Sequence, residues 1–507
     1  MAEQHEAIVI GSGIGGLTAA AFLAKGGLRP LVLEQHFLPG GNASTFRRKK
    51  MFDFDVGFHY IGHCGPGEFF PTLLEQLGVA DRVEFLPMDQ DGFDTLHLPD
   101  LVFRTPAGWE RYRQRLQETF PQEAQAIDRY IDFLITTAGR APATRRQPLR
   151  ELLGKPASRC TLAEVFDAVE ASHRLRHVLA APSGIYAAPP SKAPAVTHAA
   201  VVNHYTEGAY FARGGGRSIV EALLSVIEGG GGEVRLRSKV ERIIIEGEKA
   251  VGVELASGEE LRAPIVLSNA DAKRTFLEMV GEEHLSPDFA QRVKDYRMAL
   301  PLFIIYMAME VDPSELGLPK TNIGLMPAYD IEEQFAACYE GRFPDKPSVF
   351  MLIASLKDPL SENIAPKGYT NLQLLSVAPA QPQAWGVSES PASGGRYRHT
   401  PSYLAARREM EERMLGVVEE MMPGFIRNVV WQESASPLTQ ERFTLSTGGT
   451  SYGLEHTLDQ SMSARVPYQT EVPGLWMAGA NTLFGHGYAG CMLGGRTVAN
   501  MILQQSR

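Results

Sequence analysis

Apolar residues recur along this chain in distinct patterns, and each predicts an element. Short unbroken runs read as strands buried on both faces, the habit of parallel sheets. Ala7–Ile10, Leu31–Leu33, Ile265–Leu267 and Leu475–Ala478 are of this kind. Apolar positions three and four apart read as helices with one core-facing side. Ile14, Leu17, Ala21 and Ala24 make one such series, closed by Gly26–Gly27. Ile219, Leu223, Val226 and Ile227 make another, opened by glycines, and a last helix runs to about Leu503. The strand Glu233–Leu236 and a hairpin of Val240–Ile245 with Val251–Leu255 lie between.

Two stretches lose this rhythm. In residues 64–205, Phe70–Leu77 reads as a helix, Val83–Leu101 as two or three strands and residues 110–139 as helical. Residues 181–200, rich in Pro and Ala, read as a loop. In residues 290–440, Pro301–Met309, Ser348–Ile353 and Asn371–Val377 are strand-like with poor alternation, as in a buried sheet. Residues 378–401 have the composition of a mobile loop, and Tyr403–Met422 reads as a charged helix.

Chemistry enters at the first turn. Gly11, Gly13 and Gly16 fit G-x-G-x-x-G between a strand and a helix. The first glycine permits the turn, the second lets a diphosphate approach the backbone, and the third lets helix and strand pack closely. The helix N-terminus aims amides at the phosphates. Glu34 ends the second strand 18 residues after Gly16, where an acid accepts from ribose hydroxyls.

Gly40–Gly41 follow. The fingerprint and then LE-x5-GG resembles the N-terminal signature of FAD-binding flavoproteins of the glutathione-reductase structural class, so FAD is expected rather than NAD. The resemblance implies cofactor contacts from Ser12, Ile14, Gly15, Gln35 and Asn42 besides the residues above. FDVGFHYIG, within residues 51–63, resembles the family of phytoene desaturases, carotenoid isomerases and retinol saturases, and more distantly amine oxidases. There it lies near the flavin ring, which makes His59 and Tyr60 candidates for the reacting face.

Residues 205–271 resemble the same family's second cofactor block, with Val240 at the adenine end, the ARGGG turn at Ala212–Gly216 toward the substrate, and Asn269-Ala270 closing the last strand. The C-terminal Gly479-Ala480-Asn481 and Gly485–Gly490 resemble its final motif, with Gly487, Tyr488 and Ala489 at a helix N-terminus toward the flavin pyrimidine. Ser446–Gln460 resembles its retinol saturase and carotenoid isomerase branch and adds Tyr452, His456 and His486 as candidates for proton movement. His59 and His63 are four apart, but no third ligand or HExxH context accompanies them, so no metal is expected.

The implied fold is α/β with amine-oxidase-like architecture. A Rossmann-like FAD-binding domain is built from residues 1–90, 205–290 and 465–507, with an inserted α+β substrate-binding domain at 91–204 and 291–464. The implied activity is desaturation or saturation of a long apolar polyene isoprenoid, such as a carotenoid or retinoid, by hydride transfer at flavin N5. Flavin-assisted cis–trans isomerisation, or chemistry on another unsaturated lipid, is the alternative. An amine oxidase ranks below these, and a non-catalytic prenyl-binding escort protein lowest, because the glycines and Glu34 are intact.

Composition narrows the rest. A net charge of −10 over 507 residues argues against a nucleic-acid partner. Four scattered cysteines form no CxxC pair, so no disulfide framework is suggested. No signal peptide is apparent, and the longest apolar run, Met298–Met309, is too short for a membrane span, so a cytoplasmic protein is expected. Residues 140–160 carry Arg140, Arg145, Arg146, Arg150, Lys155 and Arg159 against Glu151, a solvated linker by composition that also suits peripheral contact with an anionic membrane.

Overall fold

Four of the apolar runs lie side by side in one sheet. In the computed structural model, which describes residues 3–141 and 146–505, the strand order is Glu233–Arg235, Pro30–Leu33, Ala7–Ile10, Val266–Ser268 and Leu475–Met477, all parallel. The strands Ala7–Ile10 and Pro30–Leu33 are buried throughout. Helix Ile14–Lys25 packs between Gly216–Gly229 and the C-terminal helix Gly487–Gln505. The contact with the C-terminal helix is close enough that a Cβ on Gly495 would stand 2.4 Å from the Gly15 carbonyl oxygen. The hairpin Val240–Glu246 with Lys249–Leu255 joins Glu260–Arg262 and Glu3–Gln4 in a small four-stranded sheet.

The second large sheet has seven strands, in the order Val429–Ala435, Leu302–Met309, Thr370–Val377, Val349–Ile353, Asn322–Leu325, Asp94–Leu98 and Leu101–Thr105. All pairings are antiparallel except Asn322–Leu325 with Asp94–Leu98. Its poor alternation has a physical cause. One face, with Phe303, Ile305, Met351 and Leu374, packs on Tyr403, Met410 and Met414 of helix Pro401–Met421. The other face, with Ile304, Phe350, Leu352 and Leu375, lines a cavity. Both faces are apolar because neither meets bulk water.

One expectation is corrected and two gain detail. Residues 110–139 are two helices, Trp109–Thr119 and Ala124–Thr137, parted where Pro121 withholds an amide and Phe120 turns out of helical geometry. Residues 181–200 are not a plain loop. Ser183–Tyr186 is a short helix, and Ala195–Thr206 begins directly after Pro194, whose fixed φ suits a helix start while the alanines favour its continuation. Residues 378–401 form a loop with two short turns, Pro382–Trp385 and Pro391–Ser393, and Trp385 is fully buried, its indole donating to the Pro379 carbonyl at 2.9 Å. Of the basic stretch, Arg140 pairs with Glu207 and Lys155 with Glu164, while Arg150 and Arg159 are exposed. Arg145 and the Arg146 side chain lie outside the described residues.

Candidate active site

The carboxyl ends of the parallel strands open onto one continuous cavity of about 1310 Å³ that reaches the seven-stranded sheet. Single-ligand sites commonly hold about 300–1,000 Å³, so this space suits two occupants.

At the strand end the wall is bare backbone. Gly11 has φ +90°, and a Cβ on Gly13 or Gly15 would come within 2.6 or 2.8 Å of the Asn269 amide group. A Cβ on Gly479 would meet the same amide at 2.6 Å. Asn269 is thus wedged between the first turn and the last, and side chains are excluded on both sides of it. Helix Ile14–Lys25 has Gly13 at its N-cap and no side-chain cap, so its first amides face the cavity unused.

Glu34 organises this end. It is buried, and one carboxylate oxygen accepts from the Ser12 amide at 2.9 Å and the Ser12 hydroxyl at 2.6 Å. The other oxygen accepts from the His36 amide at 2.8 Å. The Ser12 hydroxyl in turn accepts from the Gly40 amide at 3.1 Å, tying the glycine pair to the glycine turn. Gly41 lies so close to Gly13 that a Cβ on it would be 3.2 Å from the Gly13 Cα.

Glu34, Gln35, Gly40, Gly41, Asn42, Val240, Asn269 and Ala270 all border the cavity, with Gly11, Gly13, Ile14 and Gly15. So do Gly479, Ala480, Asn481, Gly487, Tyr488 and Ala489 from the C-terminal motif. Ser12 and Gly16 stand behind the wall: Ser12 bonds Glu34, and Gly16 packs against the Gly11 carbonyl, 2.4 Å from where its Cβ would be. The Asn269 and Asn481 amide oxygens and the Tyr488 hydroxyl are buried and unpartnered within the protein. Such orphans in a cleft call for a polar ligand.

All five candidates for proton movement border the cavity. His456 and His486 are joined, Nε2 to Nδ1, at 2.7 Å, and His486 Nε2 donates to the Ile185 carbonyl at 2.8 Å. A carbonyl only accepts, so the network fixes both tautomers: each histidine carries its proton on Nε2. Burial drives His456 well below its ordinary range and His486 down to about 4, so both are neutral hydrogen bonders at pH 7. Burial, with the Lys357 charge added, takes His59 down to about 3. His63 meets His204 instead, the two Nδ1 atoms 3.2 Å apart. The Tyr452 hydroxyl donates to the Gly184 carbonyl at 3.0 Å, and its ring meets His486 edge-on. Tyr60 stacks on Tyr205 with ring centres 4.4 Å apart.

Sequence reading missed several groups here. The Tyr60 hydroxyl donates to Asp94 at 3.1 Å, and the Asn322 amide donates to the other Asp94 oxygen at 2.8 Å. Lys357 is buried and donates to the His59 carbonyl at 2.8 Å, and burial lowers it to about 7. Arg465 is buried with no carboxylate partner among the described residues. It donates to the carbonyls of Ala480 at 2.6 Å and Thr482 at 2.9 Å, and more loosely to those of Leu454 and Gln460. Burial brings it down to about 10, still a cation. An acid at the head of an apolar strand is a visible signal for Asp94; nothing local marks Lys357 or Arg465.

A parallel sheet whose first turn, second-strand acid and final helix converge on one glycine-walled cavity defines an FAD-dependent oxidoreductase. The chain belongs to the family of flavin-containing amine oxidoreductases, whose model matches residues 14–503. It is 30% identical to the all-trans-retinol 13,14-reductase of Rattus norvegicus, over 99% of this chain and 86% of that protein. It is 25% identical to a chloroplastic prolycopene isomerase of an Oncidium hybrid cultivar, over 99% and 85%. Its fold matches an oxidoreductase from Methanosarcina mazei (TM-score 0.65, 18% identity, 98% of this chain and 100% of that one). It also matches cyclohexylamine oxidase from Brevibacterium oxydans (TM-score 0.63, 17% identity, 99% of each). The cofactor is FAD, and the glycine-lined cradle with its orphaned amide and hydroxyl groups fits such an elongated polar molecule.

Proposed function

We propose that the chain adds or removes two hydrogens across a carbon–carbon bond of a long apolar polyene isoprenoid, a retinoid or carotenoid. The observation that carries this reading is the continuity of the cavity. Beyond the glycine-walled end it runs on between Leu96, Ile185, Met326, Phe335, Phe350 and Leu375, an apolar lining suited to a hydrocarbon chain. The retinol reductase and prolycopene isomerase relatives, named for such compounds, support it. Isomerisation is the second reading, favoured by the prolycopene isomerase likeness.

In this reading the glycine turn, the helix amides and Gly40–Gly41 hold the FAD diphosphate, and the free lone pairs of Glu34 take the ribose hydroxyls. Val240 and Ala270 border the adenine end. Asn481 and Tyr488 satisfy their orphaned atoms on the flavin side, where the amides of helix Gly487–Gln505 favour negative charge. When bound, FAD supplies the two-electron step, while the protein positions the substrate and excludes water. Residues 1–90, 205–290 and 465–507 would form the cofactor domain and 91–204 with 291–464 the substrate domain.

No helix among the described residues is long and apolar enough to cross a membrane. A lipophilic substrate would be met at a membrane surface through the basic stretch, where Arg150 and Arg159 are exposed. Binding to anionic vesicles that falls with salt is expected, and salt-insensitive binding or none contradicts that contact. The activity is tested by anaerobic incubation of the FAD-loaded protein with retinoids, carotenoids and unsaturated lipids, followed by product mass. Robust peroxide from a simple amine would overturn the polyene reading.

A further inference from the structure

The strands of the seven-stranded sheet bring two acids to the cavity: Glu433, which pairs with Arg48, and Asp94. Asp94 and Asn322 are direct partners on neighbouring parallel strands, and both face the cavity. Asn322 bonds one Asp94 oxygen and Tyr60, from the opposite wall, bonds the other. Asp94 is enclosed by protein yet keeps surface open to the cavity. The remaining cavity acids have partners of their own: Glu34 with Ser12, Asp271 with Thr447, Glu278 with Arg274, Glu241 with Lys239 and Glu433 with Arg48. Among the described residues no cation stands within ion-pairing distance of Asp94. A carboxyl enclosed with two neutral donors costs stability, and the packing of this sheet does not require it.

We propose that Asp94 is the acid–base residue of the reaction, with Tyr60 and Asn322 as its positioning residues. The inference rests on the polyene reading above. In the reducing direction, one carbon of a conjugated double bond gains a hydride from the reduced flavin and its partner carbon gains the Asp94 proton. The carbon–carbon π bond, the Asp94 O–H bond and the N–H bond of the hydride donor would break, two C–H bonds would form, the donor would be oxidised by two electrons, and the carboxylate left behind is reprotonated from water. In the desaturating direction the Asp94 carboxylate would take the proton, with bound FAD supplying the two-electron acceptor.

The surroundings suit such a group. Burial raises Asp94 to about 6, with the Asn322 and Tyr60 bonds and the charge of Lys357 pulling the other way. Tyr60 and Tyr205, which face it, are held protonated by burial, and Lys357 falls to about 7. Reduction needs the acid form, so kcat/KM is level below about pH 6 and falls about tenfold per pH unit above it. Desaturation needs the carboxylate and shows the mirror-image limb.

The test uses the FAD-loaded protein, photoreduced and mixed anaerobically with a polyene, across pH. Asp94→Asn is expected to keep polyene binding and flavin absorbance, to lose about a hundredfold or more in the reductive step, and to lose the pH limb. Tyr60→Phe removes a bond that favours the carboxylate, so its limb moves to higher pH; a merely structural role would leave the limb in place. An infrared carboxyl band that titrates near pH 6 in the parent protein, moves upward in Tyr60→Phe and is absent from Asp94→Asn supports the assignment without any turnover. Unaltered rate and limb in Asp94→Asn overturn it. If Asp94→Asn does not fold, a Tyr60→Phe limb or infrared band that fails to move overturns it. If the parent protein binds FAD but alters no polyene, the substrate reading fails instead, and the infrared titration alone decides whether Asp94 is an exchangeable acid.

Discussion

Removing the Glu34 carboxylate tests the cofactor cradle at the point where most of its parts meet. In Glu34→Ala the Ser12 amide and hydroxyl lose their acceptor inside a buried turn, and the His36 amide loses its own. An unsatisfied buried donor costs about 1–3 kcal/mol. His36 is only half-buried, so water recovers most of its loss, and Ser12 dominates. FAD would lose its ribose acceptor as well, a charge-assisted bond worth about 1.5–3 kcal/mol. If about 2 kcal/mol of this total appears in binding, the Kd for FAD rises roughly thirtyfold. Titrating the apoprotein with FAD and following flavin fluorescence measures it. Glu34→Gln, which keeps one acceptor oxygen for Ser12, should fall between the parent and Glu34→Ala. An unchanged Kd in Glu34→Ala would show that the carboxylate neither shapes the turn nor meets the cofactor.

Three further outcomes are expected. Gly16→Ala places a Cβ 2.4 Å from the Gly11 carbonyl oxygen and 3.0 Å from the Asn269 Cβ, so strand and helix must part; overpacking of about 1–3 kcal/mol and a loss of bound FAD should follow, read by thermal melting and the flavin-to-protein absorbance ratio. Asp55 is raised by burial to about 7, so the folded state holds its proton more tightly than the unfolded chain, and stability contributed by this group falls as pH rises from about 4 to 7; Asp55→Asn should flatten the dependence of Tm on pH across that window. Arg465→Leu strips the donors from the Ala480 and Thr482 carbonyls, and a loss of about 3 kcal/mol with weaker FAD binding is expected by denaturant titration; Arg465→Lys, which has three donors where the guanidinium has five, should rescue it only in part.

What could be read from sequence was what local chemistry dictates. Gly11, Gly13, Gly16 and Glu34 announced themselves because a turn, a close approach and an acid at a strand end each demand a residue type at a fixed spacing. The doubly buried strands of the seven-stranded sheet were legible as strands, yet not as a cavity wall, since Leu374 in the core and Leu375 on the cavity look alike along the chain. The helix Ala195–Thr206 was hidden by the prolines before it, Pro182, Pro189, Pro190 and Pro194, which mark breaks and also precede helix starts. Asp94 meets Tyr60 across 34 positions and Asn322 across 228. No local pattern encodes such a meeting; the sheet register and the opposite wall create it.

The central claim is that FAD chemistry here acts on a polyene carbon–carbon bond. Anaerobic single-turnover reaction of the FAD-loaded protein with all-trans-retinol or a carotenoid, followed by product mass, tests it most directly. The account predicts a product differing from its substrate by two hydrogens, formed in step with the change in flavin absorbance. A product of unchanged mass and altered retention would assign the chain to isomerisation, and no product from any polyene beside fully bound FAD would contradict the claim.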